Sequence, residues 1–455
     1  ISAKITNFQA GIQRNVTSGI LGATGKLSSA TADKVSGFIF PGIKEGTFNL
    51  SGAVSYNDSL NVAKASVADG ATVSSARDVN VLADVKDRPT STVGAKSTSI
   101  GTAIGGAVAL GNFDNQAQAW IGKGAKVDAK RATKVDAQTR IPFAWQIDWS
   151  SPDAILNHLQ GSVLDLVFTS FGINSASGKS GAGVAAAVTV FDMKNTAQAW
   201  IDEGAKVNTV FTPGSAGTGG QSVTVHAKND VNTVHAVGIA GKKFLGTTGG
   251  KAAVGGSANV LDLDTTASAL IYGGADVRAT QGVNVQAEQT TQIVSVAEAG
   301  GQSDNVGVEG AVGVHLIKQR TEAGIDDDAR VQAGGPVTVQ ANGDLEDITV
   351  AGGVVATKGQ VGIGFAVSVN QVDTDTKAII GNVDAAGADA AGVQGSVRSG
   401  GAVTVQAISG TEVGAYSVAG SIATNSKAQT DAPAAGDSST QSGSTATPRP
   451  EATSI

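Results

Sequence analysis

Apolar and polar residues alternate along most of this chain with a period of two. In the segment AQAWI at 117–121, Ala117, Ala119 and Ile121 fall on one side of an extended strand; Gln118 and Trp120 fall on the other. The same inward set returns as Ala197, Ala199 and Ile201, and again as Ala267, Ala269 and Ile271. A second element has the form V-x-V-x-A, at 79–83, 223–227, 283–287, 337–341 and 403–407, with the variant TKVDA at 133–137. Its Val and Ala residues face in and its polar residues face out. Two further apolar stretches recur, one typified by DITVAGGVVA (347–356) and one by GAVGVHLI (310–317). Each element predicts a strand of four to seven residues ending at a Gly-rich corner.

The elements repeat together. NQAQAWIGKGAKV (115–127) and NTAQAWIDEGAKV (195–207) share ten of 13 positions, and looser forms begin at 61, 265, 319 and 374. Val81 to Val135 spans 54 residues, as does Val285 to Val339, and longer intervals carry insertions. Six copies fill roughly 52–426. Aligning them puts Trp120, Trp200, Leu270, Gly324 and Ile379 in one slot, whose variability fits an outward position. Short strands with small inward residues cannot bury a core alone, so they must stack coil on coil. The expected fold is all-β, a parallel β-helix, right-handed by the general rule for parallel crossovers. Two or three coils per copy would give on the order of 16–22 coils and roughly 80–100 Å of length.

Three regions depart from the pattern. Residues 1–51 alternate less regularly and read as irregular leading coils. Residues 138–172 form an insertion holding Phe143, Trp145, Trp149, Phe168 and Phe171. There Ser151-Pro152 and the spacing of Ile155, Leu156, Leu159, Val163 and Leu164 predict a helix over about 152–169. This segment either packs on the side of the solenoid or protrudes as an aromatic contact patch. Residues 427–455 are rich in Ser, Thr, Pro and Ala and predict a disordered linker.

Composition narrows the chemistry. The 455 residues include 61 Gly and no Cys, so disulfides and thiolate sites are excluded; only 16% are charged, against about 25% in an average soluble protein. A net charge of −7 with evenly spread bases offers no stripe for nucleic acid or an anionic membrane. No run of 18 apolar residues exists to insert into a bilayer as a helix. The chain opens at Ile1 without a signal-peptide pattern and reads as a piece of a longer protein. His226 and His235 lie nine residues apart, with solvent-facing strand positions expected for both. Asp326–Asp328, and the pairs Asp262/Asp264 and Asp373/Asp375 at equivalent places just before the A-x-A-x-I strand, are weak Ca²⁺ candidates. No cofactor is otherwise expected. No stretch concentrates Asp with Arg and His as a polysaccharide lyase or hydrolase requires, so an enzyme is not expected. The Gly-rich segments at 178–183 and 246–256 lack phosphate-loop spacing and read as corners or small-residue strands.

The succession VTVQA (337–341, 403–407), VGVEGAVGVHLI (306–317) and NTAQAWIDEGAKV (195–207) resembles the repeat tracts of large secreted bacterial adhesins, the filamentous-haemagglutinin-like and leukotoxin-like filamentous adhesins and related autotransporter passengers. The resemblance covers about 52–426. It implies a right-handed β-helix outside the cell or on the bacterial surface, acting in attachment or biofilm formation. Absence of Cys agrees with export of an unfolded chain. The secretion-signal motifs of these adhesins are not found here, and fold kinship specifies no receptor. The first expectation is therefore a stalk and adhesive surface that meets a host or bacterial receptor or a glycan. Its contact residues would be Trp145, Trp149 and Phe143, then Trp120 and Trp200. The alternatives are a glycan-binding or polysaccharide-active β-helix, and a self-assembling extracellular filament subunit.

Overall fold

The structure, a computed structural model, describes residues 2–6, 14–16, 48–142, 169–210, 220–238, 247–359, 361–382 and 395–423. These form three sheets of parallel strands wound as a β-solenoid, with no helix among them. One antiparallel pair is the exception: Arg14–Val16 lies against Val54–Tyr56 on the outermost strand of its sheet.

Each turn, or rung, has three sides. The first face is a strand of 20 residues, successively Phe48–Val67, Thr102–Ile121, Ala182–Ile201, Ala252–Ile271, Val306–Ile325 and Val361–Ile380. A tight corner leads to a short face, exemplified by Lys126–Ala129 and Asp276–Ala279. The second face then returns along the first. It is unbroken in rungs four to six, as Val283–Ser303, Val337–Thr357 and Val403–Ala423. In rungs one to three it is divided, into Val79–Lys86 with Ser91–Ser99, Ala132–Ile141 with Ser170–Gly178, and Ser222–Val237 with Thr247–Gly249.

The register makes one 54-residue copy one rung. Val81 pairs with Val135, and Val285 with Val339. The stack therefore has six rungs, about 24 Å over five steps, with strands roughly 66 Å long. This corrects the expectation of two or three coils per copy. What looked like four short strands are two long ones, because alternation runs unbroken through the places where strand ends were expected. The misleading signal is a row of polar residues pointing into the core at mid-strand.

That row explains the interior. Near the short face the core is aliphatic: Ala117, Ala119, Ile121, Val127, Val135 and Ala137 are sealed from solvent, and the same columns repeat in the other rungs. The Trp120–Trp200–Leu270–Gly324–Ile379 alignment holds residue for residue. Next comes the polar row. The Asn61 amide donates to Asn115 Oδ1 at 2.7 Å and the Asn115 amide to Asn195 Oδ1 at 2.9 Å. Rung four places Thr265 in this row and rung five Gln319. Gln289 of the second face donates to Thr265 and accepts from Thr321, two residues beyond Gln319. Beyond it a second apolar cluster holds Phe113, Phe191, Met193, Leu261, Leu263 and Ile317. Phe113 stacks on Phe191 at 5.7 Å. A Cβ on Gly111 would lie 2.6 Å from Phe113 and 2.7 Å from Phe191, so glycine at that position makes room for the rings. At the far end the faces approach closely and Gly, Ala and Ser fill the interior.

The corner after the first face explains a recurrent glycine. Gly70, Gly124, Gly204 and Gly274 have φ between 64° and 72°. The amide of the following Ala, as in Ala125 to Gly122 O at 3.1 Å, closes a four-residue turn. A positive φ at its third residue is the type II requirement that glycine meets without strain.

The boundaries read from sequence shift accordingly. Residues 48–51 belong to the first rung, and Ser2–Thr6 pairs in parallel with Leu82–Lys86. Residues 138–141 and 170–172, assigned to the insertion, lie in strands. The predicted helix, apart from Thr169 beside a strand, and the predicted linker 427–455 lie outside the described residues.

Candidate functional site

The solenoid offers chemistry on its outward surfaces. Strand alternation sends every second side chain outward, and in-register stacking turns these into columns about 4.8 Å apart.

On the polar half of the first face, Trp120 and Trp200 occupy one column and are partly exposed. Their indoles are parallel within 3°, with centroids 5.0 Å apart. Leu270, 7% exposed, continues the column beside Trp200, whereas Ser66 stands on the other side of Trp120. One flank of the pair is thus packed, and the other borders only a hydroxymethyl group. In the adjoining column Gln118 donates to Gln198 Oε1 at 3.0 Å, and Gln116 donates to Asp114. The result is an aromatic edge beside a row of amides and carboxylates. Phe143, Trp145 and Trp149 lie outside the described residues, so the structure does not place them beside this pair.

The calcium candidates are not equivalent to each other. Asp264 pairs with Lys318 and through it with Asp373, while Asp262 aligns with Leu316 and Gln371. The two pairs are offset by two residues, and both lie within the long strand rather than before it. Asp375 bonds Lys377 at 2.5 Å. Asp326 accepts from the Gly273 amide and the Asp327 amide at the corner. Asp192 lies across from Asp262; partial burial, then the charges of Asp262, Asp114 and Asp264, raise its pKa. No group of three or more metal-binding side chains converges among the described residues.

A charged cluster on the second face was not visible in the linear sequence. Asp136 accepts from His226 Nδ1 at 2.6 Å and from Lys134 at 3.1 Å. Glu288 receives Lys228 at 3.3 Å, with His226 Nε2 3.7 Å away, and Arg140 grips Asp84 at 2.6 and 2.7 Å. A groove runs among Lys134, Arg140, His226, Lys228, Asp230 and Glu288. Burial raises the Asp136 pKa, but the bond from His226 and the nearby cations outweigh it and leave the carboxyl below its usual range. Asp84, Asp136 and Glu288 thus each face a cation. Asp136, His226 and Gln286 are all the fourth residue of the V-x-V-x-A element, so superposing the copies would have revealed the column.

One of the two histidines contradicts the solvent-facing expectation. Nine residues is an odd step on one strand, so His226 faces out and His235 faces in. His235 is fully buried, in contact with Ser170 at 2.8 Å and packed edge-on to Phe191, and burial lowers its pKa to about 3. His315 is likewise enclosed, with Nδ1 2.6 Å from Asp347 and 2.9 Å from Thr349. This trio has the residue types of a catalytic triad, but all three side chains are sealed in the core. It forms a polar layer within the core, in which Asp347 Oδ2 has no hydrogen-bond partner among the described residues.

Glu309 is the one charged residue in its inward column, which elsewhere holds Ser51, Gly105, Ala185, Gly255 and Gly364. Its carboxylate accepts from Thr247, and burial raises its pKa to about 7. Cβ atoms on Gly255 or Gly301 would fall 2.0 Å and 1.8 Å from its oxygens, so the two glycines form its socket.

Comparison of the chain with protein-family models, with curated proteins and with solved structures finds no match.

Proposed function

We propose that this chain is a structural and adhesive stretch of a large bacterial surface-exposed or secreted adhesin, a rigid solenoid that acts in attachment or biofilm formation. The observation that carries this reading is the continuous in-register stack of six similar rungs, whose sequence pattern resembles adhesin repeat tracts. Such a stack extends by adding rungs and presents repeated side chains at fixed spacing. The buried His, Asp and Glu groups support the core rather than a reaction. The charged groove on the second face is where a polysaccharide-active alternative would have to operate. There Asp136, Glu288 and Asp84 are engaged by cations, an arrangement that favours binding over general acid catalysis.

The contact surface we assign is the Trp120–Trp200 edge with Gln118 and Gln198. Aromatic edges bordered by amides suit the apolar faces and hydroxyls of a sugar ring, so a glycan is the favoured contact. A glycan array and host-matrix screen tests this with the intact chain, a Trp120→Ala/Trp200→Ala variant and a deletion of 143–168. Binding that disappears with the tryptophan pair supports the assignment. Binding lost only with the deletion transfers it to Phe143, Trp145 and Trp149. Absence of binding by the intact chain leaves a spacer role.

A further inference from the structure

The outer surface of the first face changes character halfway along. In the second half of each strand the outward side chains are mostly polar, including Asp114, Lys194 and Asp264. In the first half, the outward positions of all six strands contain no charged residue. Leu50, Val190, Val254, Val306, Ile363 and Val367 stand 37–51% exposed there. Every described strand belongs to the three sides of the rung, so none crosses this surface.

The surface also has relief. Gly52, Gly106, Ala186 and Gly256 form a groove of small residues between two columns of mostly branched aliphatics, closed at one end where the ring of Phe365 lies over Gly310. A Cβ on Gly106 would meet no atom within 4 Å, so the groove is open there. Nine residues by six strands make a face of roughly 30 by 24 Å, about 700 Å². That exceeds the 300–600 Å² typical of the largest patch on a monomer and approaches the ~800 Å² each partner buries in a standard interface.

We propose that this half-face is a homodimer interface, on which a second copy of the chain packs its own uncharged half-face, sheet against sheet. Charge selects the symmetry. A two-fold axis along the strands would bring the acidic group Asp114, Asp192, Asp262 and Asp264 against its own copy. A two-fold along the stacking direction reverses the strands, overlays the uncharged halves and sends the acidic halves to opposite ends. The ridge of one copy can then enter the groove of the other, with the sheets about 10 Å apart. A bilayer is the less favoured occupant, because the net charge is −7 and the mid-strand rim carries Asp192 and Asp262, which leaves basic residues (Lys179, Lys251 and Lys358, beside Asp304) at one end of the patch alone.

The chain has no cysteine, which allows a single reporter to be introduced. Ala186→Cys sits near the centre of the half-face. Lys194→Cys lies eight residues along the same strand, so its two copies would be about 50 Å apart in the dimer. A short bismaleimide should crosslink the first variant into dimers and not the second. Sedimentation velocity of the full chain should show a concentration-dependent dimer, weakened about a hundredfold or more by Val190→Lys with Val254→Lys. Circular dichroism monitors retention of β-structure, and Val190→Thr with Val254→Thr replaces the lysine pair if it does not fold, with weakening still expected. A chain monomeric at all concentrations, equal crosslinking of both cysteines, dimers unaffected by the face variants, or binding of zwitterionic vesicles by the monomer overturns the proposal.

Discussion

The Asn115 side-chain amide donates to Oδ1 of Asn195 across 2.9 Å, one rung away and sealed from solvent. Asn61 extends this row into the preceding rung. In-register stacking makes the amides of successive copies partners, because the NH₂ of one copy meets the carbonyl of the next; the row ends at Asn195, whose own NH₂ has no partner among the described residues. The row fixes register: a slip by one residue would point the amides outward and leave polar groups unmatched.

Asn115→Ala should therefore destabilise the chain by about 2–3 kcal/mol, since it strands amide groups on both neighbouring rungs. Asn115→Gln, with the same groups on a longer arm, should cost less. Urea denaturation compares the two, and an Ala variant as stable as the parent would refute the role of the row.

The Glu309 socket predicts a coupled pair. Gly255→Ala should cost about 1–3 kcal/mol because the added methyl meets a confined carboxylate. In a Glu309→Ala background the same change should be nearly neutral, since Ala185 already fills that column in rung three. Additive costs in a double-mutant cycle would contradict this geometry.

The same residue gives a pH signature. Glu309 and Glu298 are held at about 7 by burial, above the ordinary 4.5, so the folded chain keeps protons that the unfolded chain has lost. Stability from these groups falls as pH rises from about 4.5 to 7 and levels off above 7. His235 acts oppositely, losing stability as pH drops below 6.5 towards 3. Glu309→Gln should flatten the decline between pH 5 and 7 and raise stability at pH 8 by about 1–3 kcal/mol. Melting temperatures across this range supply the check; an unchanged profile would contradict burial of the carboxyl.

Because one copy is one rung, a rung should be removable. Deleting 272–325 joins Ile271 to Asp326, which then takes the place of Tyr272, whose amide bonds Ile201 O. The shortened chain should fold cooperatively with the same circular dichroism per residue. Deleting 27 residues, half a rung, should abolish the fold.

Trp200→Ala should remove the near-ultraviolet coupling of the indole pair and cost roughly 1–2 kcal/mol. An unaltered near-ultraviolet spectrum would mean that the rings do not stack in solution.

The sequence by itself determined the all-β class, the 54-residue period, the inward Ala, Val and Ile columns and the outward slot shared by Trp120 and Trp200. These follow from alternation and repetition, which are local or periodic and legible along one dimension. Only the tertiary structure decided how far a strand runs, because a buried Asn115 looks in sequence like the end of an apolar strand and becomes interior once Asn61 and Asn195 satisfy it. It also decided that His235 is buried while His226 is not, since their odd spacing sorts faces only when both lie on one strand. The Asp136–His226 contact, the Gly255 side of the Glu309 socket and the uncharged half-face likewise assemble residues from different rungs, 90 positions apart for Asp136 and His226 and 54 for Gly255 and Glu309, and stacking brings them together.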